Sequence, residues 1–184
     1  MAHLPAEYQW LEKLRGLPLT IRLGLAEYGT REVVGRGSNR TIIAWRDELN
    51  QAGVKIEGFS DDDIPWCGLF AAIIAYRRKK IPAEVVKDPL WARNWSKYGK
   101  AAGAAMLGDI LVFQRGSGGH VGFYIGEDRT AYHVLGGNQS NAVTIARIAK
   151  NRCIAARRPP YVMVPAGVRP YQLSAGGILS TNEA

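Results

Sequence analysis

Asp61-Asp62-Asp63-Ile64-Pro65-Trp66-Cys67-Gly68-Leu69-Phe70 is the stretch whose reading decides the fold. An acidic, proline-bearing loop runs into an apolar segment, and a cysteine stands at the junction. Cys67, Phe70, Ala71, Ile74 and Ala75 recur at i, i+3, i+4, i+7, i+8, the spacing of a helix with one buried stripe. Pro65 suits a first turn, where its missing N–H costs nothing, and Asp63 is the expected N-cap. Cys67 then sits where unpaired N–H groups and the positive end of the helix dipole favour a thiolate. The expectation is a thiol pKa well below the ordinary ~8.5, hence a nucleophile at neutral pH. The plainer alternative is a small core hydrophobe.

Upstream, Ala6 to Leu14 and Pro18 to Tyr28 read as helical segments, and Gly35 to Asn39 reads as a loop. Thr41 to Gln51 has helical spacing at Ile42, Trp45 and Leu49. Downstream, the Cys67 helix ends before Pro82, and Pro89 to Tyr98 reads as a short helix carrying Trp91, Trp95 and Tyr98. From Met106 the pattern becomes that of strands. Ile110 to Phe113, His120 to Ile125, Thr130 to Leu135, Ala142 to Ile148 and Cys153 to Arg157 alternate with glycine-rich turns. Helices first and strands second predict an α+β domain, with helices on one face of a four- to six-stranded antiparallel sheet. The expected division is a helical arm over 1–17, a main domain over 18–158 and a tail or docking arm over 159–184.

The 184 residues are 47% hydrophobic and 22% charged, enough for one domain with a real core. No apolar run approaches the ~20 residues of a membrane span. No signal peptide is expected, since Glu7, Glu12, Lys13, Arg15 and Arg22 interrupt the start. Two cysteines make no disulfide framework, and Cys153 reads as strand packing. No spaced ligand set predicts a metal or cofactor. Asp61 to Asp63 lack the glycine that an EF-hand needs at its sixth position, where Trp66 stands. The net charge of +8 predicts attraction to polyanions such as nucleic acid, anionic lipid or a bacterial envelope. The densest basic run, Arg77-Arg78-Lys79-Lys80, closes a helix where cations complement the dipole, and no nucleic-acid-binding motif accompanies it.

A thiolate needs a base, and the base an orienting partner. His120 is the best base, opening a strand after two glycines. If a three-residue loop at 127–129 closes the hairpin, Gly136 lies opposite His120 and Asn138 lies diagonally across on the same face. Asn138 can then hold the imidazole tautomer through its carbonyl oxygen. His133 competes for the third position, but falls on the opposite face in this register. Gly136 and Gly137 leave room for a substrate backbone. Trp91, Trp95 and Tyr98 are either groove residues or core.

Together with the opening stretch, Trp91-Ala92-Arg93-Asn94-Trp95, Gly108-Asp109-Ile110-Leu111-Val112-Phe113, Gly119-His120-Val121-Gly122-Phe123-Tyr124 and Leu135-Gly136-Gly137-Asn138-Gln139-Ser140 resemble papain-like cell-wall hydrolases. More narrowly, they resemble the branch grouped with CHAP domains and NlpC-type peptidases, common in bacteriophages. The resemblance spans roughly residues 18–158. It implies a papain-like fold, Cys67 as nucleophile, His120 as base and Asn138 as orienting residue. It implies Trp66, Trp91, Trp95, Gly136, Gly137 and Gln139 as substrate-binding residues and no cofactor. Asp109 matches an acidic turn residue and is read as structural. The implied substrate is a peptidoglycan amide, cut by an endolysin or tail-associated lysin. Such a protein is made in the cytoplasm and acts in the periplasm, the wall or a virion, with phage tail proteins as possible partners of the C-terminal tail. One departure stands out: Asp61 occupies roughly the place of an oxyanion-hole glutamine, and a carboxylate there repels an oxyanion. The rival readings are a virion tail or injection component with little hydrolysis, and a Cys–His deamidase or transacylase toxin.

Overall fold

Helical periodicity gives way to strand alternation near residue 100, and the architecture follows it. A computed structural model describes residues 3–174, 176 and 178–180. Four helices, α1 (Trp10–Lys13), α2 (Leu19–Ala26), α3 (Arg40–Gln51) and α4 (Cys67–Lys79), precede the sheet. Its strands are β1 (Lys100–Ala101), β2 (Ile110–Arg115), β3 (Gly118–Glu127), β4 (Ala131–Gly136), β5 (Thr144–Ala149) and β6 (Cys153–Arg158). They form one antiparallel sheet in the order β1-β6-β2-β3-β4-β5. The fold is α+β.

The local chemistry explains each boundary. Asn39 caps α3, its side chain accepting the Thr41 N–H at 2.8 Å, and the stripe of Ile42, Trp45 and Leu49 is buried as the spacing requires. Helix α4 differs from expectation at its start. Trp66, not Asp63, occupies the N-cap, and Cys67 is the first helical residue. Ile64 precedes a proline and is biased away from helical backbone angles, which delays the helix. The Asp63 N–H instead donates to Asp61 Oδ1 at 2.8 Å. The segment expected as a helix over 89–98 is a 3-10 stretch, Ala92–Lys97.

Helix α4 is buried continuously from Cys67 to Ala75, because it lies between the sheet on one side and α2 and α3 on the other. Its basic end is spent on ion pairs. Arg77 binds Glu27 at 2.7 Å and Glu48 at 2.6 Å, Arg78 and Lys79 share Glu84, and Lys80 reaches Glu48. That pairing leaves little of the run for a polyanion. Behind the sheet, Leu111, Phe113, Tyr124, Val134 and Ile148 form a smaller apolar cluster.

The β3–β4 hairpin slides by two residues from the predicted register. Phe123 pairs with Leu135, an irregularity follows between Tyr124 and Gly126, and Asp128 to Thr130 form the loop. Asp128 shapes that loop by accepting the Thr130 and Ala131 N–H groups.

Described segments near both ends join the body. Leu4, Tyr8 and Leu11 enter the main core. In the segment expected as a tail, Arg169 O accepts the Leu107 N–H, Tyr171 O accepts the Glu127 N–H, and Leu173 N–H donates to Glu127 O. Gly167 N–H donates to Gly16 O, and the Trp10 and Tyr171 rings stack at 4.6 Å. Residues 175, 177 and 181–184 of the expected tail lie outside the described residues. Among the described residues no helix is long and apolar enough to cross a membrane.

Candidate active site

Cys67 opens α4 at the edge of a cleft of about 700 Å³. Ile64, Leu90, Trp91, Arg115 and Gly119 line the cleft with it. The thiol is 4% exposed, and burial pushes its pKa above the ordinary value. The Val121 and Gly68 backbone N–H groups bond toward the sulfur and pull the other way, as does the positive charge of Arg115. The expected lowering by the helix terminus is therefore reversed: the N–H groups are present, but desolvation outweighs them.

His120 stands on β3 opposite Phe113, immediately before Val121, whose N–H acts to lower the thiol pKa. Its side chain is fully buried, with Nε2 3.1 Å from Gln139 Oε1. Gln139 fixes the protonation pattern of the ring. Its Nε2 donates to Val134 O at 3.1 Å and Thr144 O at 2.6 Å. Carbonyl oxygens only accept, so the amide nitrogen must face them and Oε1 must face the histidine. His120 Nε2 then carries the hydrogen, which leaves the lone pair of the neutral ring on Nδ1.

The partner of His120 is thus Gln139, where the sequence pointed to Asn138. Asn138 is buried with φ of 57°, and its Oδ1 has no hydrogen-bond partner among the described residues. A left-handed residue ends the alternation of a strand, so the parity argument does not extend past Gly136. Two adjacent amides in Gly136-Gly137-Asn138-Gln139 cannot be told apart by spacing alone.

Other expected substrate contacts are placed differently. A Cβ on Gly136 would lie 2.8 Å from Gln139 Oε1 and 3.0 Å from His120 Nε2. One on Gly137 would lie 2.6 Å from Phe70 Cβ and 2.7 Å from the Trp66 ring. The two glycines therefore let the loop close on the histidine and the helix, and leave no open space for a substrate backbone. Trp66 and Trp95 are core residues at 0% exposure. Trp66 packs near Trp45, and Trp95 donates to Pro89 O at 2.9 Å. Tyr98 is likewise buried, whereas Trp91 is 71% exposed on the cleft. Arg93 bonds Gly118 O at 2.8 Å, anchoring the β2–β3 turn that forms the opposite wall.

His133 belongs to a separate network. It accepts from Tyr8 Oη at Nδ1 at 2.7 Å, and its Nε2 lies 3.1 Å from Asp128 Oδ2, which also binds Arg147. Asp109 is structural as read: it accepts the Met106 N–H and holds Arg158 through both carboxylate oxygens. The carboxylates of Asp61, Asp62 and Asp63 lie within 4.8 Å of one another. The buried Asp62 accepts the Val33 and Asn39 N–H groups at 3.0 and 2.7 Å, which gives it a loop-anchoring role. Sequence reasoning missed Arg115, whose only signal was a basic residue at the strand end before Gly116-Ser117. No family model and no curated protein matches this chain.

Proposed function

We propose that the protein is a cysteine-dependent hydrolase of a papain-like kind, cleaving an amide of the peptidoglycan stem peptide or its junction to the sugar. The observation that carries the chemistry is the His120–Gln139 bond, which directs a basic nitrogen away from the amide partner, beside a cleft lined by Cys67. Cell wall as the substrate rests on the motif resemblance and on the net charge of +8, which suits an anionic envelope.

In the proposed cycle His120 Nδ1 takes the Cys67 proton, and the sulfur attacks the carbonyl carbon. The tetrahedral intermediate collapses as the imidazolium donates its proton to the leaving amine, giving a thioester and free amine. Water, activated by the neutral imidazole, then adds to the thioester and releases acid and thiol. The Cys67 backbone N–H at the helix start supplies one oxyanion donor. Because burial favours the neutral thiol, the proton moves to His120 in concert with substrate engagement, with no standing thiolate.

The test is digestion of purified sacculi, followed by mass analysis of the released fragments. Wild type should release peptide-bearing fragments, and Cys67→Ala should release none. Cleavage that survives Cys67→Ala rules out the nucleophile, and intact sacculi with a correctly folded wild type rule out the substrate.

A further inference from the structure

Among the described residues, Arg115 is the only charged side chain lining the Cys67 cleft. It ends β2, pairs with Gly118 across the two-residue turn, and is half-buried. Among the described residues, no hydrogen bond or ion pair involves its guanidinium. Most other arginines that face the body are committed: Arg77, Arg78 and Arg158 to carboxylates, Arg93 and Arg157 to carbonyls. The remaining lining beyond the thiol is apolar or glycine apart from Ser117, with Ile64, Leu90 and Trp91 facing the turn. An uncommitted guanidinium in an apolar cleft is a fork of donors for a planar anion, and low local polarity strengthens that attraction.

We infer that Arg115 is a specificity residue that binds a carboxylate of the acyl substrate, so that the cleft selects amides with a free carboxylate near the scissile bond over their neutral carboxamide counterparts. The inference deepens the hydrolase reading, because a bound carboxylate would set the register of the carbonyl against Cys67. Trp91 offers the aliphatic part of the same substrate an apolar wall. The chemistry recognised is the carboxylate itself, whether it belongs to a wall stem peptide or to another peptide.

The test uses the full chain with Cys153→Ser, which leaves Cys67 as the single thiol, and compares alkylation by iodoacetate and iodoacetamide. The anionic reagent should be favoured relative to a neutral cysteine peptide. Arg115→Gln should lower the iodoacetate-to-iodoacetamide rate ratio by about tenfold, the effect of one charge-assisted contact, while Arg115→Lys retains most of it. On the unsubstituted arginine, N-acetylalanine should protect Cys67 from iodoacetamide better than its carboxamide does, a measurement that survives if Arg115→Gln fails to fold. Equal ratios with and without the Arg115→Gln substitution, or equal protection by acid and amide, overturn the inference. Stem peptides with free and amidated carboxylates form the second arm: Arg115→Gln should lower kcat/KM for the free acid by a larger factor than for the amidated peptide, so that the preference between the two shrinks. A charge-dependent alkylation ratio without wall cleavage supports the subsite and removes the hydrolase reading. Wall cleavage with a charge-blind ratio does the reverse.

Discussion

In the proposed mechanism Gln139 acts through its bond to His120, so its removal should damage orientation more than binding. Gln139→Ala is expected to lower kcat by about 10- to 100-fold with KM little changed, since a misoriented base loses part of a general-base effect of about 10²–10⁴-fold. Asn138→Ala should cost less than Gln139→Ala in the same sacculus assay; the opposite ranking would return the orienting role to Asn138. The thiol supplies a second prediction at this scale. Burial raises its pKa, so alkylation of Cys67 by iodoacetamide should reach half its plateau rate at a pH above the ~8.5 midpoint of an ordinary cysteine. A plateau near neutrality would mean that a thiolate–imidazolium pair forms in the resting protein. Cys67 and His120 could be singled out in the sequence because each carries chemistry that few residue types share. The choice between Asn138 and Gln139 was not legible, because it depends on one left-handed backbone angle and on which carbonyls receive an amide. Arg115 was hidden for a related reason: what marks it is the lack of a partner, a property of three-dimensional neighbours.

Among the elements, α4 shows how tightly the cleft depends on backbone approach. A Cβ on Gly68 would lie 2.2 Å from Pro89 O and 2.7 Å from Leu90 O. Only a glycine lets the 89–90 backbone approach the first turn so closely, and Leu90 and Trp91 then form the cleft wall. Gly68→Ala should therefore destabilise the fold by about 1–3 kcal/mol, the usual cost of overpacking, and should also lower activity in the fraction that folds. Equal melting temperatures for Gly68→Ala and wild type would mean that the wall yields freely. Element types and order were readable from periodicity, including the stripe of α3 and five of the six strands. Strand β1, two residues long, carries too short a pattern to register. The hairpin register failed because the loop closes over 128–130, one residue later than expected, which moves the opposing partner by two; the irregularity near Ile125 adds one more on the turn side only.

For the whole molecule, the Tyr8–His133–Asp128–Arg147 network joins the N-terminal segment, the β3–β4 loop and β5. Burial is the largest influence on His133 and pushes its pKa down, partly offset by Asp128. Burial of Asp128 acts upward, but the Thr130 and Ala131 N–H groups and Arg147 outweigh it and hold the carboxyl below its usual range. The signs agree. A histidine held neutral in the fold contributes stability above its unfolded pKa near ~6.5, and that contribution is lost as pH falls toward the folded value. A depressed carboxylate likewise contributes above its unfolded pKa near ~3.9 and loses that contribution on further acidification. The melting temperature should thus drop in two stages below neutrality, and His133→Gln should flatten the first stage. A profile unchanged by His133→Gln would locate the acid sensitivity elsewhere. Prolines and weak periodicity in 159–174 disguise a segment that is held from Gly167 to Leu173 by backbone bonds and by one stacked pair.

Between that held segment and β6, Val162 and Met163 are 99% and 84% exposed, with Val164 also open to solvent. Thermolysin, which favours bulky apolar residues, should therefore nick the chain there while the rest resists. Since Gly167 is bonded to Gly16 and Tyr171 is stacked on Trp10, the severed piece should stay attached. The nicked protein would elute from a sizing column as one species and separate into two chains only in denaturant, so that a broken covalent backbone coexists with an unbroken molecule.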